Sequence, residues 1–185
     1  MTLSVAQVSP AMRGKPFGPV TEPRRYLYTG LMGPDNATLS AVCGVPTFPS
    51  DADRVARRQV AYIQHGFLAA SQEVVRYRSG GAALALRELR SATRSCPKSF
   101  PITKGSVASK VTIDPPNPDL LAKQLTMQFS ITQPNGPRTW EVDVYQFDGN
   151  YLSAFYVFNS TLRFARSTAF QLASLAAAKL AASGA

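Results

Sequence analysis

Between Gln124 and Phe158 the chain alternates and turns in a way that an antiparallel sheet accommodates and a helix does not. Leu125, Met127, Phe129 and Ile131 alternate with Gln124, Thr126, Gln128, Ser130 and Thr132, which predicts a strand with one core face and one wet face. A turn follows at Pro134 to Pro137. The next strand, Thr139 to Phe147, carries the only tryptophan, Trp140, and runs into Asp148-Gly149-Asn150, a strong hairpin signal. Its partner, Tyr151 to Phe158, is apolar on both sides: Leu152, Ala154, Tyr156 and Phe158 on one, Tyr151, Phe155 and Val157 on the other. Two apolar faces on such a strand require a covering element or a cleft.

Two helical periodicities accompany these strands. In Ala82 to Cys96, residues Ala82, Ala85, Leu86, Leu89, Ala92, Thr93 and Cys96 fall at three- and four-residue steps, with Arg87, Glu88, Arg90, Ser91 and Arg94 opposite. Leu162 to Ala182 predicts a longer helix with Ala165, Ala169, Leu172, Ala173, Ala176 and Leu180 turned inward. Upstream, Gln59 to Gln64 and Phe67 to Tyr77 read as a hairpin through His65 and Gly66, and Lys110 to Ile113 as an edge strand ended by Pro115 and Pro116. The fold class is therefore α+β: an antiparallel sheet of about five or six strands with a central and a C-terminal helix packed on it.

Residues 1–42 form a Pro/Gly-rich N-terminal extended segment, broken by Pro10, Pro16, Pro19, Pro23 and Pro34, that wraps the domain at 43–185. Ser50 to Asp53 has the makings of a helix start, with a short helix to Arg58. At 185 residues the whole is one globular domain, large enough to bury roughly 70% of its unfolded surface. Ala169 to Ala182, the most apolar stretch, is too short and too interrupted to span a membrane. Met1 to Ala11 lacks a signal peptide's basic start and hydrophobic run. That leaves a cytosolic chain or one whose signal sequence is absent.

Charge is concentrated. Between Arg54 and Lys110 there are eleven Lys and Arg against Glu73 and Glu88, and elsewhere the signs balance, so this segment accounts for the formal net charge of +9. Such a field suits an acidic partner, such as an anionic lipid or a cell-envelope polymer, or simply keeps the protein soluble. Nucleic acid is the weaker candidate, because the basic residues are not interleaved with exposed aromatics in any known motif.

The two cysteines, Cys43 and Cys96, with a single histidine, cannot build a structural zinc site, so no metal and no cofactor is expected. A disulfide or two buried thiols remain. The disulfide is the better reading, since it would tie the proline-rich wrap to the central helix at a gain of roughly 4 kcal/mol. It also implies an exported protein.

Few residues invite catalysis. His65, the only histidine, lies in a turn with no acid or nucleophile beside it in sequence. Glu73, Glu141 and Asp143 could pair as the carboxylates of a hydrolase, although a solvated sheet face is the expected role of Glu141 and Asp143, which share a face with Tyr145. Arg76, Arg78, Ser79, Gly80 and Gly81 close a strand and open a helix, where an anion could sit or where Ser79 could act as an ordinary cap. The Asn36 and Asn159 triplets and the weak lipoprotein-like run Leu39 to Cys43 carry no argument.

The strand EVVRYR (Glu73 to Arg78), the helix ALALRELRSATRSCP (Ala83 to Pro97), the hairpin YQFDGNYLSAFYVFN (Tyr145 to Asn159) and the Ala-rich last helix together resemble the PknH-like extracellular sensor domain family of actinobacterial secreted proteins and lipoproteins. The resemblance covers roughly Cys43 to Ala182 and implies an exported, non-catalytic α+β domain with a ligand-binding cleft. Cys96 matches the family's helix-end cysteine, while a second disulfide, a kinase domain and a membrane segment have no counterpart here. The expected cleft lies near Tyr145, Phe147, Tyr151, Phe155 and Tyr156, bordered by Arg76 and Arg78, and suits a small, lipid-like, amphipathic or anionic ligand. The alternatives are a cell-wall or protein interaction module with a flat basic surface, and the carboxylate hydrolase.

Overall fold

The computed structural model describes residues 1–12, 24–30, 43, 45, 47–64, 67–103, 106–113, 122–133 and 135–183. Within them, eight strands form one antiparallel sheet: β1 (Arg24–Gly30), β2 (Arg54–Gln64), β3 (Phe67–Tyr77), β4 (Ser99–Thr103), β5 (Ser106–Ile113), β6 (Gln124–Thr132), β7 (Thr139–Asp148) and β8 (Tyr151–Asn159). Their order is β1-β2-β3-β8-β7-β6-β5-β4. Two meanders therefore meet where β8 pairs with β3, with Glu73 opposite Ala154 and Arg76 opposite Tyr151. The α+β class stands. The sheet is wider than the five or six strands counted in sequence, because β1 follows Pro23 and β4 contains Pro101. Both are edge strands, where a missing N–H leaves no ladder bond broken.

Three helices complete the fold: α1 (Val5–Met12), α2 (Gly81–Arg94) and α3 (Leu162–Ala182). The stripe read from sequence on α2 is buried, as are all six inward residues of α3. The helices lie on opposite faces. α3 and α1 close one face over Val60, Val142, Val144, Phe155 and Val157. On the other, α2 packs on Val75, Leu125, Tyr145 and Leu152.

Four local expectations are corrected. Pro49–Asp53 is a 3-10 turn, in which Asp51 Oδ2 accepts the Phe48 N–H at 2.8 Å, and the chain extends at once into β2 instead of continuing as a helix to Arg58. Val55, Val60, Tyr62 and their neighbours favour a strand and override the cap-like start. Gln124, Thr126, Gln128 and Ser130, expected to be wet, are buried, because they share the face that α3 covers on β7. Their amides turn to one another: Gln146 Nε2 donates to Gln124 Oε1 at 2.8 Å, and Gln124 Nε2 to Thr126 Oγ1 at 3.2 Å. The N-cap of α2 is Gly80, at φ 79°, without a side-chain cap, instead of Ser79. Finally, the arm at 1–42 is not extended throughout. Its first residues form α1, and Leu3, Val8 and Met12 enter the core.

Cys43 and Cys96 form a disulfide with Cα atoms 4.9 Å apart, both cysteines buried against the end of α2. No helix of the described chain is long and apolar enough to cross a membrane. His65, Gly66, Asn36, Leu39 to Val42, Pro115 and Pro116 lie outside the described residues.

Candidate functional site

The seven residues expected to line one cleft are divided between the two faces of the sheet. Alternation along β8 puts Tyr156 on the α2 side and Tyr151 and Phe155 on the α3 side. Phe155 is 1% exposed and packs in the core beneath α3, so no ligand reaches it without unfolding that face. Tyr145 and Tyr156 meet edge-on at 5.9 Å between centroids, and half-buried Phe147 packs on the same cluster. Arg78 does not join Arg76. It leaves the end of β3 and faces Asp53, at 3.7 Å, while also donating to the Ala52 carbonyl at 3.4 Å. The start of α2 thus already has an acid of its own chain beside it.

Arg76 and Tyr151 do come together. They are cross-strand partners on the α3 side, and with Arg58, Ala56, Val74 and Thr2 they line a basin of about 320 Å³. Register explains the meeting: Ala56 opposes Arg76 and Arg58 opposes Val74. The two guanidinium-bearing residues are therefore diagonal neighbours, roughly 7–8 Å apart at their Cα atoms. Both are exposed, and among the described residues neither has a carboxylate partner. One wall of the basin is the N-terminal segment, held firmly: Leu3 N–H donates to Gln72 Oε1 at 2.7 Å, Tyr62 Oη donates to the Leu3 carbonyl at 2.8 Å, and Lys179 Nζ donates to the Thr2 carbonyl at 3.0 Å. Sequence reasoning missed Arg58 and this wall. The arginine was legible in the basic segment, but its partners in space depended on a register that no local pattern states.

The α2 side holds the carboxylates. Glu73, 1% exposed, is ion-paired with Arg57 Nε and accepts a long hydrogen bond, 3.5 Å, from Tyr156 Oη. Arg57 Nη2 in turn donates to Gln59 Oε1 at 2.7 Å. Burial raises the Glu73 carboxyl above its ordinary range, opposed by the positive charges of Arg57 and Arg54. Glu141 and Asp143, two residues apart on β7, lie on the same face of the strand. Burial pushes Glu141 up to about 7, and burial together with the Glu141 charge holds Asp143 well above the usual carboxylate range. The solvated face expected for this pair is corrected at Asp143, while Glu141 is half-buried. Asp143 is 4% exposed, because Met127 of β6 and Tyr156 of β8 stand directly opposite it and close the face. Among the described residues no group of three or more metal-ligating side chains occurs.

No protein-family model and no curated protein matches the sequence. Among solved structures, the extracellular domain of PknH from Mycobacterium tuberculosis is similar to this chain, with a TM-score of 0.65 over 92% of this chain and 90% of that one, at 12% sequence identity. The resemblance read from the strand, helix and hairpin motifs thus holds at the level of fold: this chain is built on the same α+β architecture as that extracellular domain.

Proposed function

We propose that this protein is an extracytoplasmic, non-catalytic binding domain of the sensor type, and that its basin at Arg58, Arg76 and Tyr151 receives an amphipathic anion. The observation that carries this reading is the pairing of two arginines that lack carboxylate partners among the described residues with an aromatic ring and the aliphatic Val74 in one concave site. A volume near 300 Å³ lies at the small end of ligand pockets, enough for a charged head group and the start of a chain. Arginine forks match phosphate and carboxylate oxygens, and Tyr151 and Val74 offer surface to an alkyl portion. The disulfide supports an oxidising location, in keeping with a fold shared with an extracellular domain. The carboxylates favour binding over hydrolysis, because Glu73 is neutralised by Arg57 and Asp143 is closed off from solvent.

Dodecyl phosphate, titrated calorimetrically at low and at physiological salt, tests the proposal. Binding should weaken with salt and fall about tenfold in Arg76→Ala, the loss of one charge-assisted contact. Wild-type affinity retained in both Arg76→Ala and Arg58→Ala would refute the basin as the site. Binding of a long acidic polymer but not of dodecyl phosphate would favour the interaction module with a cell-envelope polyanion.

A further inference from the structure

The carboxylates of the α2 side differ in one respect that bears on function. Glu73 has a counter-charge, Arg57, in direct contact. Glu141 and Asp143 have none among the described residues. We propose that Glu141 and Asp143 form a proton-binding site that couples the packing of β6, β7 and β8 to the pH of the surrounding medium.

The geometry begins with strand alternation, which places both carboxyls on one face of β7 within reach of each other. Two carboxyls side by side on one strand face offer only acceptors and repel when both are ionised, so the pair is best accommodated when one of them carries a proton. The surroundings favour keeping that proton. Glu141 stands opposite Phe129 on β6 and Phe158 on β8, and Asp143 opposite Met127 and Tyr156. Asp143 Oδ1 is buried without a hydrogen-bond partner, a tolerable situation for a neutral acid and a costly one for an anion.

Among the described residues, no charged group around the pair is ion-paired with it. From β3, Glu73 adds a further acid, already held by Arg57 of β2 and hydrogen-bonded by Tyr156. Tyr145 of β7 and Tyr156 of β8 bring phenols, not cations. From α2, Arg90 donates its guanidinium to the Ala122 and Gln124 carbonyls, and Glu88 accepts from the Ser50 N–H. On β5, Lys110 occupies the register position opposite Phe129, one strand further from Glu141. Arg138, next along from Thr139, lies over the Trp140 ring at 5.9 Å.

The sign of the coupling follows from linkage. Glu141 binds its proton more tightly in the folded chain, at about 7, than in the unfolded chain, near the ordinary value of 4.5. Its contribution to stability is complete below the unfolded value and is lost as pH rises through the folded one. Between pH 6 and pH 8 the unfolding equilibrium constant rises about tenfold from Glu141 alone, and Asp143 adds in the same direction. Above neutrality the two charges repel across a closed face, so the strands must separate or admit water.

Carboxyl-detected NMR titration of the whole chain provides the test. One side-chain carboxyl should titrate near neutrality, and the signal should disappear in Glu141→Gln and persist in Glu73→Gln. Urea unfolding of the wild type should show the tenfold change between pH 6 and pH 8, and Glu141→Gln should reduce it. The proposal is overturned if every carboxyl titrates below pH 5.5, or if the near-neutral titration vanishes in Glu73→Gln and survives in Glu141→Gln. The wild-type titration decides even if a variant fails to fold.

Discussion

The two faces of the sheet are closed by opposite means. Over the α3 face lies a 21-residue helix whose inward residues are mostly alanine, so its backbone approaches the valines of β7 and β8 closely and the seal is a matter of contact area. The buried polar groups of this face are uncharged: Gln124, Thr126 and Gln128 lie beneath the helix, and Gln72 and Tyr62, with Lys179 at its edge, anchor the N-terminal segment. Over the other face lies a 14-residue helix, with a disulfide at its end and ionisable groups beneath the sheet's surface beyond it. A long small-residue helix holds itself down. A shorter one above a face that also buries charge is assisted by a covalent tie. The comparison assigns to the first face the role of a frame and to the second that of a responsive surface.

The largest test of that contrast removes the tie. Replacing both cysteines with serine, or reducing the protein, should cost about 4 kcal/mol, from the entropy that a closed loop of this length withholds from the unfolded chain. The measurement is urea unfolding with and without reductant, followed by near-ultraviolet circular dichroism, in which the tyrosines of the α2 face should lose signal. An unchanged midpoint would mean that α2 needs no assistance. Leu172→Ala, at a fully buried position of α3, should cost about 3 kcal/mol through the cavity it leaves. Its cost should be the same at pH 6 and pH 8, since no ionisable group of the α2 face touches it; a pH-dependent cost would break the division of labour between faces.

Between these extremes lies the Glu73–Arg57 pair. Arg57→Ala leaves Glu73 buried without its cation, and the expected loss is about 3 kcal/mol at pH 8. Loss of the arginine raises the Glu73 carboxyl further, so the acid takes up a proton and the cost shrinks at pH 5. The sign is fixed by the direction of the shift: stability held below the unfolded value is lost as pH rises. Unfolding curves at the two pH values check it, and a cost larger at pH 5 would contradict the electrostatic account.

How much of this was legible in the sequence varies with the range of the cause. The β7–β8 hairpin, the inward stripes of α2 and α3 and the disulfide follow from alternation, three- and four-residue spacing and cysteine arithmetic, all local or nearly so. The edge strands were hidden by Pro23 and Pro101, which exclude a central strand but not an edge. The burial of Gln124, Thr126 and Gln128 was hidden by their polarity, since pattern marks them as solvent-facing and only the placement of α3 covers them. The site was the least legible. Alternation alone could have separated Tyr156 from Tyr151 and Phe155, but the partnership of Arg58 with Arg76 needed the β2–β3 register, and it took the structure to show that, among the described residues, Glu141 and Asp143 have no ion-paired cation.

The smallest expected effect sharpens the comparison from its margin. Lys123 Nζ lies 3.3 Å from Asp148 Oδ1 at the rim of the sheet, with the lysine side chain 64% and the aspartate 34% exposed. Water screens such a pair, and ordering a long lysine side chain offsets much of the attraction, so Lys123→Ala should change stability by less than about 0.5 kcal/mol. The contrast with Arg57→Ala is the point of the measurement: both substitutions remove one cation from one carboxylate of the same sheet, and burial is what differs. Should Lys123→Ala prove as costly as Arg57→Ala, burial would not be what gives the α2 face its sensitivity to charge. If the two differ as expected, the sensitivity belongs to the covered part of that face, where Glu73 and Asp143 are withdrawn from water.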